Sequence, residues 1–310
     1  MIYTLTLNPA LDYMVRLPSL RPGETNRAES AVLQIGGKGI NVSCVLKELG
    51  VESIALGFVA GFTGEALEGE LTRLGVATDF IRLPEGLTRV NVKLGATETH
   101  VETEINGIGP TITAEAMEAL WAKLDTLTEG DTLVLAGSIP PSLPRDLYGR
   151  IAARIAARWT GRGIRLAVDA EGEALAAVLP YSPFLIKPNR AELEGWAGRP
   201  LPSEDDLEAA VKALQGAGAR NVLVSLGGDG ALLLDEYGAL HRAKAPAILP
   251  VNTVGAGDSM VAGFLAGLAE GYPTALRWGI AAGSATAAAE GLAKGPAIRD
   301  LLERMGAEGD

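Results

Sequence analysis

Apolar residues recur along this chain with more than one period, and the changes of period predict its elements. Several short runs are almost continuously apolar: "IYTLTL" (2–7), "SIALGFVA" (53–60), "TLVLAG" (132–137), "IRLAVDA" (164–170), "FLIKP" (184–188) and "NVLVSLGG" (221–228). Most are bounded by Gly, Pro, Asn or Asp. A strand covered on both faces has no solvent side to mark with polar residues, so these runs predict buried strands of a parallel sheet. Between them, residues 41–50, 64–75, 114–127 and 204–218 carry apolar positions at helical spacing. In the last, Leu207, Val211 and Leu214 fall at i, i+4 and i+7 under an acidic first turn. The β–α alternation predicts a doubly wound, mostly parallel α/β sheet with helices on both faces and ligands at the strands' carboxyl ends.

Two stretches break that rhythm. Residues 13–35 and 88–105 alternate apolar and polar positions, with turn signals at Pro22-Gly23 and Gly95-Ala96. Period-two alternation fits strands with one exposed face, so these segments predict a small sheet outside the main one, a lid over its mouth. The expected organisation is a single domain over 1–310, with that lid built from about 13–35 and 88–105. The closing "GAEGD" (306–310) is expected to fray.

Composition narrows the class. The chain has 310 residues, 47% of them apolar and 21% charged, which suits a folded soluble enzyme and excludes disorder. The net charge of −11 with no basic tract argues against nucleic-acid or anionic-membrane partners, so an anionic ligand must meet a local group of cations. Cys44 is the only cysteine, which rules out an internal disulfide and a CxxC metal site. It reads as a small buried residue on the helix after 36–41. His100 and His241 lie far apart in the sequence, and no structural zinc is expected. Neither a signal-peptide pattern nor an apolar run of membrane-spanning length occurs, so a reducing cytoplasm is the expected location.

Chemistry gathers in three glycine-rich stretches near predicted strand ends: "GGKGIN" (36–41), "SLGGDGAL" (225–232) and "VGAGDS" (254–259). Each bares backbone N–H groups where side chains would block an anion. None is GxxxxGK[ST] or GxGxxG. Asp258, placed after Gly255-Ala256-Gly257 at the head of an apolar helix, has two readings, a helix cap or a base beside a bound phosphate.

Taken together, "GGKGINVS" (36–43) and "NTVGAGDSMVAGF" (252–264) resemble the two signatures of the ribokinase/phosphofructokinase-B family of sugar kinases. "TLNPALD" (6–12), "GSIP" (137–140), "VDAEGEAL" (168–175) and "KPNRAEL" (187–193) are similar to its branch containing 1-phosphofructokinase and tagatose-6-phosphate kinase. The resemblance runs from about residue 2 to about residue 295.

The resemblance implies a ribokinase-like fold and a role for each motif. Asp258 would take the proton of the attacking sugar hydroxyl, and the amides of Gly255, Ala256 and Gly257 would stabilise the transferred phosphoryl. Asp12, expected at the end of the first strand, would bind sugar hydroxyls together with Asn41 and the Gly37 and Gly39 backbone. Lys38 and Arg89 would meet the substrate's own phosphate. Arg27 in the lid and Ser138 are weaker candidates; Arg27 could act within the subunit or across a dimer. Lys187, Asn189, Ser225, Gly227, Gly228 and Gly230 would serve ATP. Asn189 and Glu192, at i and i+3, would hold Mg2+ through waters, with a capping box as a compatible reading, and Asp169 could join that network. At 170–171, where a hydroxyl is usual, this chain has Ala and Glu. The implied activity is ATP-dependent phosphorylation of a ketohexose phosphate, with fructose 1-phosphate favoured over tagatose 6-phosphate or fructose 6-phosphate. A non-catalytic sugar-phosphate sensor on the same fold is the reading of another class. The lid sheet's exposed edge suggests a homodimer.

Overall fold

The computed structural model describes residues 1–99, 101–158 and 163–307. Along the chain, β1 (Ile2–Thr6) leads into β2 (Ala10–Leu17), β3 (Ser30–Gly36), α1 (Lys38–Glu48), β4 (Ser53–Ala60) and α2 (Gly61–Arg73). Short strands β5 (Ala77–Thr78) and β6 (Ile81–Leu83) follow, then β7 (Arg89–Ala96), β8 (Val101–Ile105) and α3 (Ala114–Leu124). The middle of the chain forms β9 (Thr132–Ala136), α4 (Leu147–Arg158), β10 (Arg165–Asp169), α5 (Gly172–Ala176), β11 (Leu185–Ile186) and α6 (Arg190–Ala197). Next come α7 (Glu204–Gly216), β12 (Asn221–Ser225), β13 (Ala231–Leu234) and β14 (Leu240–Ala243). Helices α8 (Ala256–Gly267), α9 (Tyr272–Ala287) and α10 (Gly295–Ala307) complete it.

The main sheet runs β14-β13-β12-β11-β10-β9-β1-β4-β5, with β6 beside the end of β4. It is parallel from β5 to β12, and the β12–β13–β14 edge is antiparallel. Each continuous apolar run supplies two cores at once. In β9, Leu133 and Leu135 join a layer that includes Leu5, Leu56, Leu120 and Ile151, while Val134 and Ala136 join another with Val45, Phe264 and Ile280. Each such leucine stabilises the fold by about 1.5–3 kcal/mol.

The second sheet is β3-β2-β7-β8. Its central pair is parallel and its outer pairs are antiparallel. The alternating stretches therefore do form a separate sheet, with shifted bounds: β2 starts three residues before 13, and β7 runs through Gly95-Ala96 so that the turn falls later. His100 lies outside the described residues. The Pro22-Gly23 signal sits in the long connection between β2 and β3.

The apolar runs at 2–7, 53–60, 132–137, 164–170, 184–188 and 221–228 all contain main-sheet strands. Only Leu185 and Ile186 of 184–188 pair as strand, although the Lys187 amide still reaches the Val168 carbonyl at 3.2 Å. The β13–β14 hairpin is an addition to the expected elements; its second strand is too short and half-buried to carry a period. In it His241 Nε2 meets Asp235 Oδ2 at 2.7 Å. Cys44 is buried in α1, where burial pushes its thiol up to about 12. Helix α10 takes in 306–307, and the remainder of the closing segment lies outside the described residues. No helix of the described residues is long and apolar enough to cross a membrane.

Candidate active site

The carboxyl ends of β1, β9, β10, β11 and β12 open on a cavity of about 870 Å³, roofed on one side by β2 and β7 of the small sheet. Thr6, Gly137, Asp169, Lys187 and Ser225 line it at or just beyond those strand ends. This is where a parallel sheet places its ligands.

At one end the chain enters α8 through Gly255, whose φ of +81° is left-handed and whose Cβ, if present, would lie 2.8 Å from Leu292 Cδ2. The left-handed backbone is what requires glycine, since the Leu292 methyl is the end of a flexible side chain. The amide of Ala256 is not free, because it closes the turn onto the Thr253 carbonyl at 3.2 Å. Ala256 therefore leaves the set of expected anion donors. The amides of Gly255, Gly257 and Asp258 have no acceptor among the described residues, as the opening turn of a helix allows. A Cβ on Gly257 would come 3.1 Å from Lys187 Nζ, so the ammonium stands beside these donors. Amides, helix dipole and ammonium converge on space suited to an anion.

Asp258, in the first turn of α8, is buried and faces that space. Asn41 Nδ2 donates to its Oδ2 at 2.8 Å, so Asn41 holds the acid while itself lining the cavity. Burial, and then the charge of Asp169, raises the Asp258 carboxyl well above the usual range, while Asn41, Lys38 and Lys187 pull it back. A carboxyl so placed can accept a proton near neutral pH.

Asp169 ends β10. Its Oδ1 lies 3.2 Å from Lys38 Nζ and 3.5 Å from Lys187 Nζ. Its Oδ2 is buried with no hydrogen-bond partner among the described residues. Burial alone would lower the Lys38 ammonium, but Asp169 and Asp258 outweigh it and hold the group charged. Lys38 thus belongs to the acid end of the cavity. Helix α1 is pinned for this task by Thr6, whose Oγ1 accepts the Ile40 amide at 3.0 Å. Gly39 is buried beneath Thr6 and, unlike Gly37, does not line the cavity.

At the other end, Asp12 belongs to β2, not to the end of β1, because the chain crosses into the small sheet within the "TLNPALD" motif. Arg89 faces the same cavity and donates Nε to the Asn8 carbonyl at 3.1 Å, an anchor that leaves its two terminal nitrogens for an anion. Ser138 lines the wall just after β9.

Asn189 and Glu192 form a reciprocal capping box on α6: Asn189 Oδ1 accepts the Glu192 amide, and Glu192 Oε2 accepts the Asn189 amide, both at 2.8 Å. Both also line the cavity, so cap and ligand roles coexist. Two groups of candidates fall elsewhere. Arg27 is exposed on the β2–β3 connection and does not line the cavity. Gly227, Gly228 and Gly230 form the tight turn after Ser225, where Gly230 N–H bonds to Gly227 O at 3.1 Å and Leu226 N–H to Gly230 O at 2.9 Å. Only Ser225 of that group lines the cavity.

The sequence reading missed Asn8, Asn91, Lys93 and Arg145. Arg89, Asn91 and Lys93 alternate through "RVNVK", so a strand period applied to polar residues would have placed all three on one face. Arg145 stands on the connection after β9, at the cavity rim, 3.9 Å from Glu173. Nothing in "SLPRD" signals it.

Residues 5–298 match the pfkB family of carbohydrate kinases. The chain is 45% identical to a 1-phosphofructokinase of Bacillus subtilis (strain 168) over 284 residues, 91% of each chain. A D-tagatose-1-phosphate kinase of Bacillus licheniformis is 39% identical over 285 residues, again 91% of each. Among solved structures, phosphofructokinase-2 from Escherichia coli in complex with fructose-6-phosphate superposes with a TM-score of 0.89 at 30% identity, covering 98% of this chain and 99% of that one. A buried acid at an amide turn, a second acid on a lid strand and a match along nearly the whole chain agree: this protein belongs to the pfkB family of carbohydrate kinases.

Proposed function

We propose that this protein phosphorylates a ketohexose carrying a phosphate on carbon 1, with fructose 1-phosphate as its substrate and ATP as the donor. The observation that carries the chemistry is the raised, buried Asp258 carboxyl held by Asn41 beside the free amides of Gly255 and Gly257. The sugar's 6-hydroxyl loses its proton to Asp258 as its oxygen attacks the γ-phosphoryl group, and ADP leaves. Positioned proton removal contributes about 10²–10⁴ in rate. The amides, the helix dipole, Lys38 and Lys187 stabilise the charge spread over the transferred group. Asp12 orients the sugar, with Arg89 and Ser138 on its phosphate. Ser225 and the glycine turn behind it adjoin the nucleotide.

The orphaned, buried Asp169 Oδ2, with Glu192 and Asn189 facing the same cavity, is a donor set suited to Mg2+. These residues would hold it through waters, and it would neutralise triphosphate charge. Kinases must keep water from the donor, and the small sheet over the cavity suits a lid closing on a single catalytic unit. That sheet's exposed apolar residues, Val32, Leu33, Val101 and Ile105, suit a second copy of the chain, and Arg27 is then free to act across the interface. A cytoplasmic enzyme fits a reaction that consumes ATP.

The tagatose 1-phosphate reading has its own support in the Bacillus licheniformis relative, and both sugars offer the same 6-hydroxyl. A coupled ADP-release assay on fructose 1-phosphate, tagatose 1-phosphate, tagatose 6-phosphate and fructose 6-phosphate ranks them. Preference for a 6-phosphate overturns the substrate reading. Retained sugar binding without any turnover favours the sensor.

A further inference from the structure

Strand β7 turns Arg89, Asn91 and Lys93 to one face, and its parallel pairing with β2 sets Asn91 opposite Asp12. Asn91 Nδ2 donates to Asp12 Oδ1 at 2.8 Å, and Lys93 Nζ lies 3.0 Å from Asp12 Oδ2. Both oxygens of the sugar-facing carboxylate are therefore gripped from one neighbouring strand. The grip is itself fixed, because Asn91 Oδ1 accepts the Gly107 amide at 3.1 Å, which settles which way that side-chain amide points. Lys93 is 17% exposed, and its next acid, Glu104 of β8, is at 4.0 Å.

Asn91 lines the main cavity with Asp12, but Lys93 does not. It borders a second cavity of about 470 Å³ between the small sheet and residues 250–254. Its ammonium reaches the sugar only through the Asp12 carboxylate. That matters for a phosphorylated sugar: an uncompensated carboxylate would repel a dianion brought into the same cavity, whereas a paired one offers lone pairs to hydroxyls with its charge offset.

Building on the sugar-phosphate reading, we propose that Lys93 is a positioning residue: it holds Asp12 in the orientation that accepts sugar hydroxyls and cancels its charge toward the substrate's phosphate. Arg89 on the same strand then meets the phosphate, so one strand sets both the sugar's orientation and its charge balance.

The test is steady-state kinetics of wild type, Lys93→Met and Lys93→Arg, on whichever ketohexose phosphate of the panel the wild type turns over best. Loss of the partly buried ion pair on Asp12 corresponds to a rise of about tenfold in the sugar KM of Lys93→Met. The ATP KM should stay within about twofold, and the melting temperature within about 4 °C, the size of a 1 kcal/mol change. Lys93→Arg should recover most of the sugar KM. An unchanged sugar KM in Lys93→Met overturns the proposal. So does an equal rise in both KM values with a lowered melting temperature, which marks a merely structural lysine. Wild-type turnover across the panel tests the substrate reading and the variant-to-wild-type ratio tests Lys93, so each fails separately.

Discussion

The two ends of the cavity are built on different kinds of sheet. The acid end rests on strands covered on both faces, and its groups are locked together: Asn41 on Asp258, Lys38 and Lys187 on Asp169. The end proposed for the sugar rests on a sheet whose outer strands are largely bare, with β8 exposed throughout. Phosphoryl transfer needs donors and base preset to a fraction of an ångström, and only a doubly buried support supplies that rigidity. Sugar entry and release need a part that can move, and a singly supported sheet has fewer apolar contacts to break. The contrast makes rigidity a requirement of the chemistry and looseness a requirement of access.

Asp258→Asn tests the rigid end most severely. Turnover should fall by about 10²–10⁴ while nucleotide binding, followed by calorimetry, survives. Near-normal turnover would remove Asp258 as the base. Stability should move the other way. A carboxyl raised on folding binds its proton more tightly in the native state than in the unfolded one, so its contribution to stability falls as pH rises from the ordinary carboxylate range to the raised value. Asparagine keeps an acceptor for Asn41 and carries no charge. The melting temperature of Asp258→Asn relative to wild type should therefore rise between pH 5 and pH 8; a constant difference would contradict the raised carboxyl.

Leu135→Ala separates support from chemistry. Leu135 is fully buried in β9, next to the strand end that carries Gly137 and Ser138. Truncating it should cost about 2–5 kcal/mol by chemical denaturation. The enzyme that remains folded should keep its kcat within about threefold, because no reacting group is touched. A matching loss of kcat would mean that the acid end yields when its support does.

The acid limb of the kcat profile gives a smaller effect with a definite sign. Since Asp258 must be ionised to act, kcat should decline on acidification at a pH above the ordinary carboxylate range. Asp169→Asn removes the second cause of that elevation, so its residual activity should show the limb at lower pH. A limb that stays in place would assign it to another group.

How much of this was legible follows the same division. Continuous apolar runs announced the main sheet because burial on both faces leaves its mark on every residue. Alternation announced the small sheet, and glycine-rich turns announced the Asp258 end, since a bare amide turn demands glycine at Gly255 whatever surrounds it. The partners of each acid were not legible. Asn41 lies 217 residues from Asp258 and Lys38 lies 131 from Asp169, and no local period records contacts closed by a parallel sheet. Nor was the loss of Ala256 as a donor, which depends on a single turn hydrogen bond to Thr253. Glycines 227, 228 and 230 could not be placed from sequence for a related reason: a tight turn and an anion cradle require the same residue, and here they shape the turn behind Ser225, which lines the cavity.

The faintest stability effect bears most directly on the loose end. Neighbouring strand residues point to opposite faces, yet Val32 and Leu33 of β3 are 52% and 54% exposed, so both faces of this edge strand stand open in one copy of the chain. An open apolar edge is a liability unless something covers it. With a second copy as the cover, the double variant Val32→Thr, Leu33→Thr should leave the isolated subunit's unfolding free energy within about 0.5 kcal/mol, since each change lies on the surface. Sedimentation velocity should then show the wild type as a dimer and the variant shifted toward monomer at equal concentration. A wild type that sediments as a monomer would leave the edge uncovered and end the dimer reading. A dimer untouched by the double change would move the interface off this sheet, and with it the idea that a partner copy steadies the lid.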